Sequence, residues 1–198
     1  MASFAEIRLE PGVARGLKRG DRSAQGIAYR VLAPTVMGLA CRILQDEGSA
    51  QEVVQDTFVD LIEHARTLKD AQAVVGWVRQ VAVNHCLMRL RSPWNKRRDE
   101  LDADPAGDVY VDMAEGAART EGMQDIEKAL SELEPETRLV IWLHDVEGYT
   151  HQEIAGLVGR TASYSKSQMA RGYQKLAKRF RGTEDGIENT ASRSARVP

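Results

Sequence analysis

The sequence predicts an all-α fold: two small helical domains joined by a flexible acidic linker. Three observations carry this expectation. Apolar residues recur every three or four positions, and no run alternates as a half-buried strand would. The periodic segments form two blocks, 16–98 and 123–181, with an aperiodic stretch rich in Asp, Gly and Ala at 99–122 between them. Charge follows the same division. Gly76 to Arg98 carries Arg79, Arg89, Arg91, Lys96, Arg97 and Arg98 and no acid. Asp99 to Lys128 carries ten acids against Arg119 and Lys128. Arg160 to Arg181 carries Arg160, Lys166, Arg171, Lys175, Lys178, Arg179 and Arg181, again without an acid. A chain of net charge −2 therefore holds two separate basic surfaces, a pattern suited to two contacts with nucleic acid.

In the N-terminal block, Gly20-Asp21 precedes an apolar segment, Ile27 to Leu44. Pro34 lies inside it and should break or bend the helix. The next helix carries Ala50, Val53, Val54, Thr57, Phe58, Leu61, Ile62 and Ala65 as one stripe, and Ser49 and Glu52 have the spacing of a capping box at its start. A polar stretch, Arg66 to Gln72, leads to a helix from about Val74 to Arg91 that Pro93 should stop. In the second block the apolar stripe runs Ile126, Leu130, Leu133, Leu139, Val140, Leu143, Val146. Residues 182–198 read as a disordered tail.

No run of 18 apolar residues occurs, so no membrane span is expected, and Met1 to Arg15 lacks the apolar core of a signal peptide. Cys41 and Cys86 sit in apolar helical patterns and read as small buried hydrophobes in a reducing, cytoplasmic setting. His64, His85, His144 and His151 share no ligand spacing with Cys or Asp, and no phosphate loop or nucleophile motif appears. The expectation is a protein without metal, cofactor or catalytic residues.

The C-terminal block has the pattern of a helix-turn-helix. Thr150 and Glu153 form a capping box for a short helix buried through Ile154, Ala155, Leu157 and Val158, and Gly159 ends it. A second helix begins near Thr161 to Ser163, with Met169, Gly172, Tyr173, Leu176 and Phe180 on its buried face. Its exposed first turns offer Tyr164, Lys166, Ser167, Gln168 and Arg171 to a DNA groove, where Gln and Arg can pair with base edges and Lys and Ser can hold phosphates.

On these residues the sequence resembles a known family. Leu133-Glu134-Pro135-Glu136-Thr137-Arg138-Leu139-Val140, Glu147-Gly148-Tyr149-Thr150, Glu153-Ile154-Ala155 and Lys166-Ser167 resemble the fourth conserved region of the sigma-70 family, which reads the promoter −35 element. Gly20-Asp21, Glu52-Val53-Val54-Gln55-Asp56-Thr57-Phe58, Gly76-Trp77-Val78 and Ala82-Val83-Asn84 resemble the second region, which engages the −10 element. Two motif sets in this order, with no room for the first and third regions, are similar to the extracytoplasmic-function (ECF) group. The resemblance implies an alternative sigma factor that binds core RNA polymerase and directs promoter-specific initiation. Glu52, Gln55 and Asp56 would dock on the β′ clamp helices, with the β subunit also contacted. The loop from Thr67 to Ala73 would capture an unstacked −10 base, and Arg79, Asn84, Arg89 and Arg91 would contact the melted strand. Trp77 fits a core role better than a DNA contact. Tyr164, Lys166, Ser167, Gln168 and Arg171 would meet the duplex −35 element, and the acidic linker would thread the polymerase.

The sequence departs from the family at Ser49-Ala50-Gln51-Glu52, where two acids of the usual Asp-Ala-Glu-Asp are neutral. Ser49 is the candidate regulatory phosphosite, because phosphate there restores negative charge at a helix N-terminus; Thr57 is the weaker alternative. A Ser/Thr kinase or an anti-sigma protein is the expected regulator. The competing reading is a helix-turn-helix regulator that never touches polymerase; the N-terminal half argues against it.

Overall fold

The computed structural model describes residues 4–91 and 121–194. Among them every regular element is helical, and the chain divides into two compact units, Met1–Gly116 and Ala117–Pro198. The expected stop at Pro93, residues 99–120 of the acidic linker and residues 195–198 of the tail lie outside the described residues.

Among the described residues four helices build the N-terminal unit: α1 (Pro11–Lys18), α2 (Arg22–Leu44), α3 (Glu47–His64) and α4 (Ala71–Arg91). The central α2 packs against the other three. The unit begins before residue 16: a 3-10 turn, Phe4–Glu6, leads into the fold, with Phe4, Leu9, Val13 and Leu17 all buried. Their wider spacing, partly outside any helix, hid them from a search for helical periodicity.

Asp21 caps α2, its carboxylate accepting from the Ser23 N–H at 2.8 Å. The helix then runs through Pro34 without the break that was one of the two expected outcomes. Proline deprives the Arg30 carbonyl of its partner, but Arg30, Val31 and Pro34 are all exposed, so that carbonyl lies on the solvent-facing side. On the other side Leu32, Val36, Leu39, Ala40 and Ile43 are at most 2% exposed. Burying several such side chains, at about 1.5–3 kcal/mol each, outweighs a proline penalty of about 3 kcal/mol. By length and composition α2 could also cross a membrane, but half of its most apolar window is buried by the rest of the unit.

The start of α3 also differs from expectation. Asp46, not Ser49, is the N-cap: its carboxylate accepts from the Ser49 N–H at 2.8 Å, which leaves Ser49 inside the first turn and half-buried. The buried stripe holds Ala50, Val53, Val54, Thr57, Phe58 and Leu61, while Ile62 is 51% exposed and lies outside it. Thr57 is fully buried, and its hydroxyl has no hydrogen-bond partner among the described residues, so a kinase has no access to it.

Cys41 and Cys86 are free and buried, as the sequence suggests. Burial pushes the Cys41 thiol up to about 11 and the Cys86 thiol up to about 12. Both therefore stay protonated well past neutrality. Iodoacetamide at pH 8 is expected to leave them unmodified in the native chain and to alkylate both in denaturant, as read by mass spectrometry.

The C-terminal unit consists of α5 (Glu121–Ser131), α6 (Pro135–Ile141), α7 (His151–Val158) and α8 (Ala162–Ser194); α6 continues into a π-helical turn, Trp142–Val146. Leu133, Leu139, Val140, Ile141, Trp142, Leu143 and Ile154 form its core, whereas Ile126 is 47% exposed and lies outside it. Arg138 is buried, with its guanidinium donating to the carbonyls of Ser131 at 3.0 Å and Leu133 at 2.9 Å. It thereby satisfies backbone acceptors that the end of α5 leaves open. The helix expected to end at Arg181 reaches Ser194, so residues 182–194 are not the disordered tail the sequence suggested. Gly182 and Gly186 each cost a helix only about 1 kcal/mol, and no proline intervenes before Pro198.

Candidate functional site

Helices α7 and α8 form the helix-turn-helix. The capping box at α7 is complete: the Glu153 N–H donates to Thr150 Oγ1 at 3.2 Å, and the Thr150 N–H donates to the Glu153 carboxylate at 2.8 Å. Gly159 ends α7 at φ +67°, a left-handed conformation that glycine adopts without a Cβ penalty. Helix α8 starts at Ala162 and packs on α6 and α7.

The face of α8 turned inward differs from the expected one. Ser165, Gln168 and Gly172 are buried, while Tyr173 and Phe180 are 46% and 37% exposed. Gln168 is thus a packing residue, not a groove-facing one: its side-chain oxygen accepts from Thr137 Oγ1 of α6 at 2.8 Å. Helical phase explains this, since Gln168 follows Ser165 by three and precedes Gly172 by four. Ser165 Oγ lies 3.0 Å from His151 Nδ1, so both buried polar residues are partnered across helices. At Gly172 an added Cβ would stand 2.4 Å from Ile141 Cδ1 and 2.8 Å from Thr137 Cγ2, which shows how closely α8 approaches α6.

The opposite face of α8 is open. Ser163, Lys166, Ser167, Ala170, Arg171 and Gln174 are all exposed and form one stripe. Lys166, Ser167 and Arg171 stand where the sequence reading expected them. Ser163 and Gln174 were missed, though the same spacing extended by one turn each way finds them. Tyr164 is half-buried and donates its hydroxyl to Glu136 of α6, with the Arg160 guanidinium 5.7 Å from its ring centre. Burial and the Glu136 carboxylate both push its phenol up. Beside this face, His151 stacks on His144 with ring centres 4.6 Å apart. Desolvation, His144 and Lys166 hold His151 below the usual histidine range, against a smaller opposing pull from Asp145. His151 is therefore neutral at pH 7.

In the N-terminal unit, α3 and α4 meet along a polar seam. Arg89 of α4 reaches Asp56 at 2.7 Å and Glu52 at 3.3 Å. One turn along, His85 Nε2 lies 2.9 Å from Asp60 Oδ2. The Arg89 side chain is 18% exposed, against 67% for Glu52 and 50% for Asp56. Arg89 is thus not presented to solvent as the sequence reading expected. Glu52, Gln55 and Asp56 are all exposed on α3.

Around α4, Asn84 and Arg91 are exposed, together with Met88 at 65%. Trp77 is half-buried, its ring centre 5.5 Å from that of His64. Arg79 is only partly exposed. The open face of α4 therefore combines amide, thioether and guanidinium groups, a combination suited to an unstacked strand. The connection before α4 is shorter than the expected Thr67–Ala73 loop, because α4 starts at Ala71. Asp70 Oδ1 accepts from the Ala73 N–H at 2.8 Å, and Lys18 Nζ donates to the Lys69 carbonyl at 3.0 Å. Asp60, Glu63 and His64 also bring one possible ligand atom each within 4.8 Å of one another, a grouping that comparing the four histidines overlooked.

Comparison with known proteins agrees with this geometry. Sigma-70 region 2 matches residues 28–96, and Sigma-70 region 4 matches residues 123–176. The ECF RNA polymerase sigma factor SigM of Mycobacterium tuberculosis is 28% identical over 159 residues, covering 80% of this chain and 78% of SigM. SigE of Mycolicibacterium smegmatis is 28% identical over 153 residues, covering 73% of this chain, which spans only 56% of SigE. Among solved structures, the sigma factor RpoE bound to the anti-sigma factor NepR from Bartonella quintana aligns with a TM-score of 0.54 at 20% identity, over 77% of this chain and 94% of RpoE. CnrH in complex with the cytosolic domain of CnrY aligns with a TM-score of 0.51 at 19% identity, over 87% of this chain and 97% of CnrH. Two family regions in the order 2 then 4, on two helical units, place the chain in the sigma-70 family as an extracytoplasmic-function member.

Proposed function

We propose that this chain binds core RNA polymerase and directs it to promoters in the cytoplasm, without catalysing a reaction itself. The observation that carries the reading is the pair of exposed faces on the two family regions: the cationic stripe of α8, through Lys166 and Arg171, and the Asn84–Met88–Arg91 face of α4. The first suits the −35 duplex, where Ser167 and Lys166 hold phosphate and Arg171 reaches a base edge. The second suits the melted −10 strand. Glu52, Gln55 and Asp56 form the polymerase-facing side of α3. A polymerase-independent regulator would have no use for that acidic side.

Control falls to an anti-sigma protein, the kind of partner that holds the Bartonella neighbour, or to a kinase acting on Ser49. Ser49 shares a helical face with Glu52 and Asp56, so a phosphate there lengthens the acidic stripe where two family acids are missing. Run-off transcription with core polymerase on a library of upstream genomic fragments tests both levels. The chain should yield discrete products that core polymerase alone does not, and Ser49→Asp should raise their yield over Ser49→Ala. No product from any fragment, with the chain unmodified or phosphorylated, would end the sigma-factor reading. Equal yields from the two variants would end the Ser49 proposal alone.

A further inference from the structure

His151 opens α7, the helix that crosses the DNA backbone when α8 enters a groove. Its ring stacks on His144, and its Nδ1 lies 3.0 Å from Ser165 Oγ of α8. A serine hydroxyl can donate to a bare ring nitrogen or accept from a protonated one, so this contact holds in either charge state. Nε2 is different. It has no hydrogen-bond partner among the described residues, and it is not buried. The charged groups facing the ring are His144 and Asp145 from the π-helical turn and Lys166 from α8. Asp145 is already engaged: one carboxylate oxygen lies 2.8 Å from His144 Nδ1, and the other accepts from the Tyr173 hydroxyl at 2.6 Å. Lys166 is exposed, with no ion-pair partner among the described residues. An open ring nitrogen thus stands beside a cation of the stripe proposed to meet duplex DNA, with no uncommitted anion near it.

We propose that His151 is a proton-linked phosphate contact: duplex DNA seated on α8 brings a phosphate to Nε2, and the ring takes up a proton from solvent as it binds. This inference rests on the DNA-binding reading of α8 above. In the free chain His144 and Lys166 disfavour a charge on the ring, which stays neutral at pH 7. A phosphate supplies the missing anion and offsets the field of Lys166, and both effects favour the imidazolium. The proton goes to whichever ring nitrogen is bare, Nε2–H donates to a phosphate oxygen, and Ser165 turns to accept from Nδ1. The bound form therefore holds one more proton than the free form. Affinity then rises as pH falls, and levels off below the free-chain value, which lies under the usual histidine range. By the same linkage, protons and DNA each strengthen the binding of the other by one factor.

The test uses the full chain without polymerase. Binding of a fluorescein-labelled duplex of mixed sequence is measured by fluorescence anisotropy at one low salt concentration. From pH 8 to pH 6 the parent should tighten about tenfold, the factor that a single unit of pKa shift supplies. His151→Gln, polar but unable to titrate, should match the parent within about twofold at pH 8 and change by less than about twofold at pH 6. His144→Gln should keep the tightening, because the titrating ring is still present. Calorimetry at pH 7 in two buffers of different protonation heat should show net proton uptake for the parent and none for His151→Gln. Parent binding that ignores pH, or a pH dependence that survives His151→Gln, would overturn the proposal. So would equal weakening of His151→Gln at both pH values together with a lowered urea midpoint, the sign of a merely structural ring. Run-off transcription separates the two levels: discrete products without the pH-dependent gain remove the proton link and leave the sigma-factor reading standing.

Discussion

Gly172→Leu is expected to unfold the C-terminal unit and abolish duplex DNA binding. Glycine in a helix interior is usually a defect, and replacing it usually stabilises by up to about 1 kcal/mol. Here the sign reverses. A Cβ at this position would meet Ile141 Cδ1 at 2.4 Å and Thr137 Cγ2 at 2.8 Å. Neither neighbour can retreat: Ile141 and Thr137 are 4% and 5% exposed, and the Thr137 hydroxyl is committed to Gln168. Overpacking at such a contact costs about 1–3 kcal/mol for small additions, so a leucine should cost at least about 3 kcal/mol. The check is urea denaturation followed at Trp142, which is 3% exposed and reports on this core. Gly172→Ala should show the same direction at smaller size. An unchanged midpoint for Gly172→Leu would mean that α8 does not press on α6 as described.

Arg138→Ala should be nearly as damaging, by about 3 kcal/mol, because it combines lost packing with two carbonyls left without donors. Those of Ser131 and Leu133 are held only 3.0 and 2.9 Å from the guanidinium, inside the unit. Arg138→Lys should recover less than half of the loss, since the shorter lysine stem does not carry its ammonium to the position from which Arg138 Nη1 serves both acceptors. Urea midpoints for the two variants against the parent decide it; full rescue by lysine would reduce the role of Arg138 to charge alone. The effect on function follows from position. Arg138 ties the end of α5 to α6, and α6 is the surface on which α8 lies, so loosening it shifts the exposed stripe of Lys166 and Arg171 relative to its support.

The two variants share a lesson about what can be read along a chain. Helix identity, the capping box of Thr150 and Glu153, the turn at Gly159 and the separation into two units follow from local rules, because each depends on residues within a few positions of one another. Those rules fail where a distant partner decides. Pro34 did not interrupt α2, because burial against three other helices outweighed the local penalty. The cap of α3 is a different case, a choice between two local candidates, in which Asp46, three residues before Ser49, supplies the acceptor. Phe4 and Leu9 joined the core from a segment with no helical period.

The candidate site divides in the same way. Sequence alone determined which residues share a side of a helix, Lys166, Ser167 and Arg171 on α8 and Asn84 and Arg91 on α4, because spacing is a local property. Only the tertiary structure decided that Gln168 faces Thr137 and that Arg89 faces Glu52 and Asp56, contacts spanning 31 residues in the first case and 37 and 33 in the second. Periodicity fixes which residues share a face but not which face meets a neighbour. That choice is made by packing, where the helix surface with the better complement is buried and the polar groups it carries must find partners there.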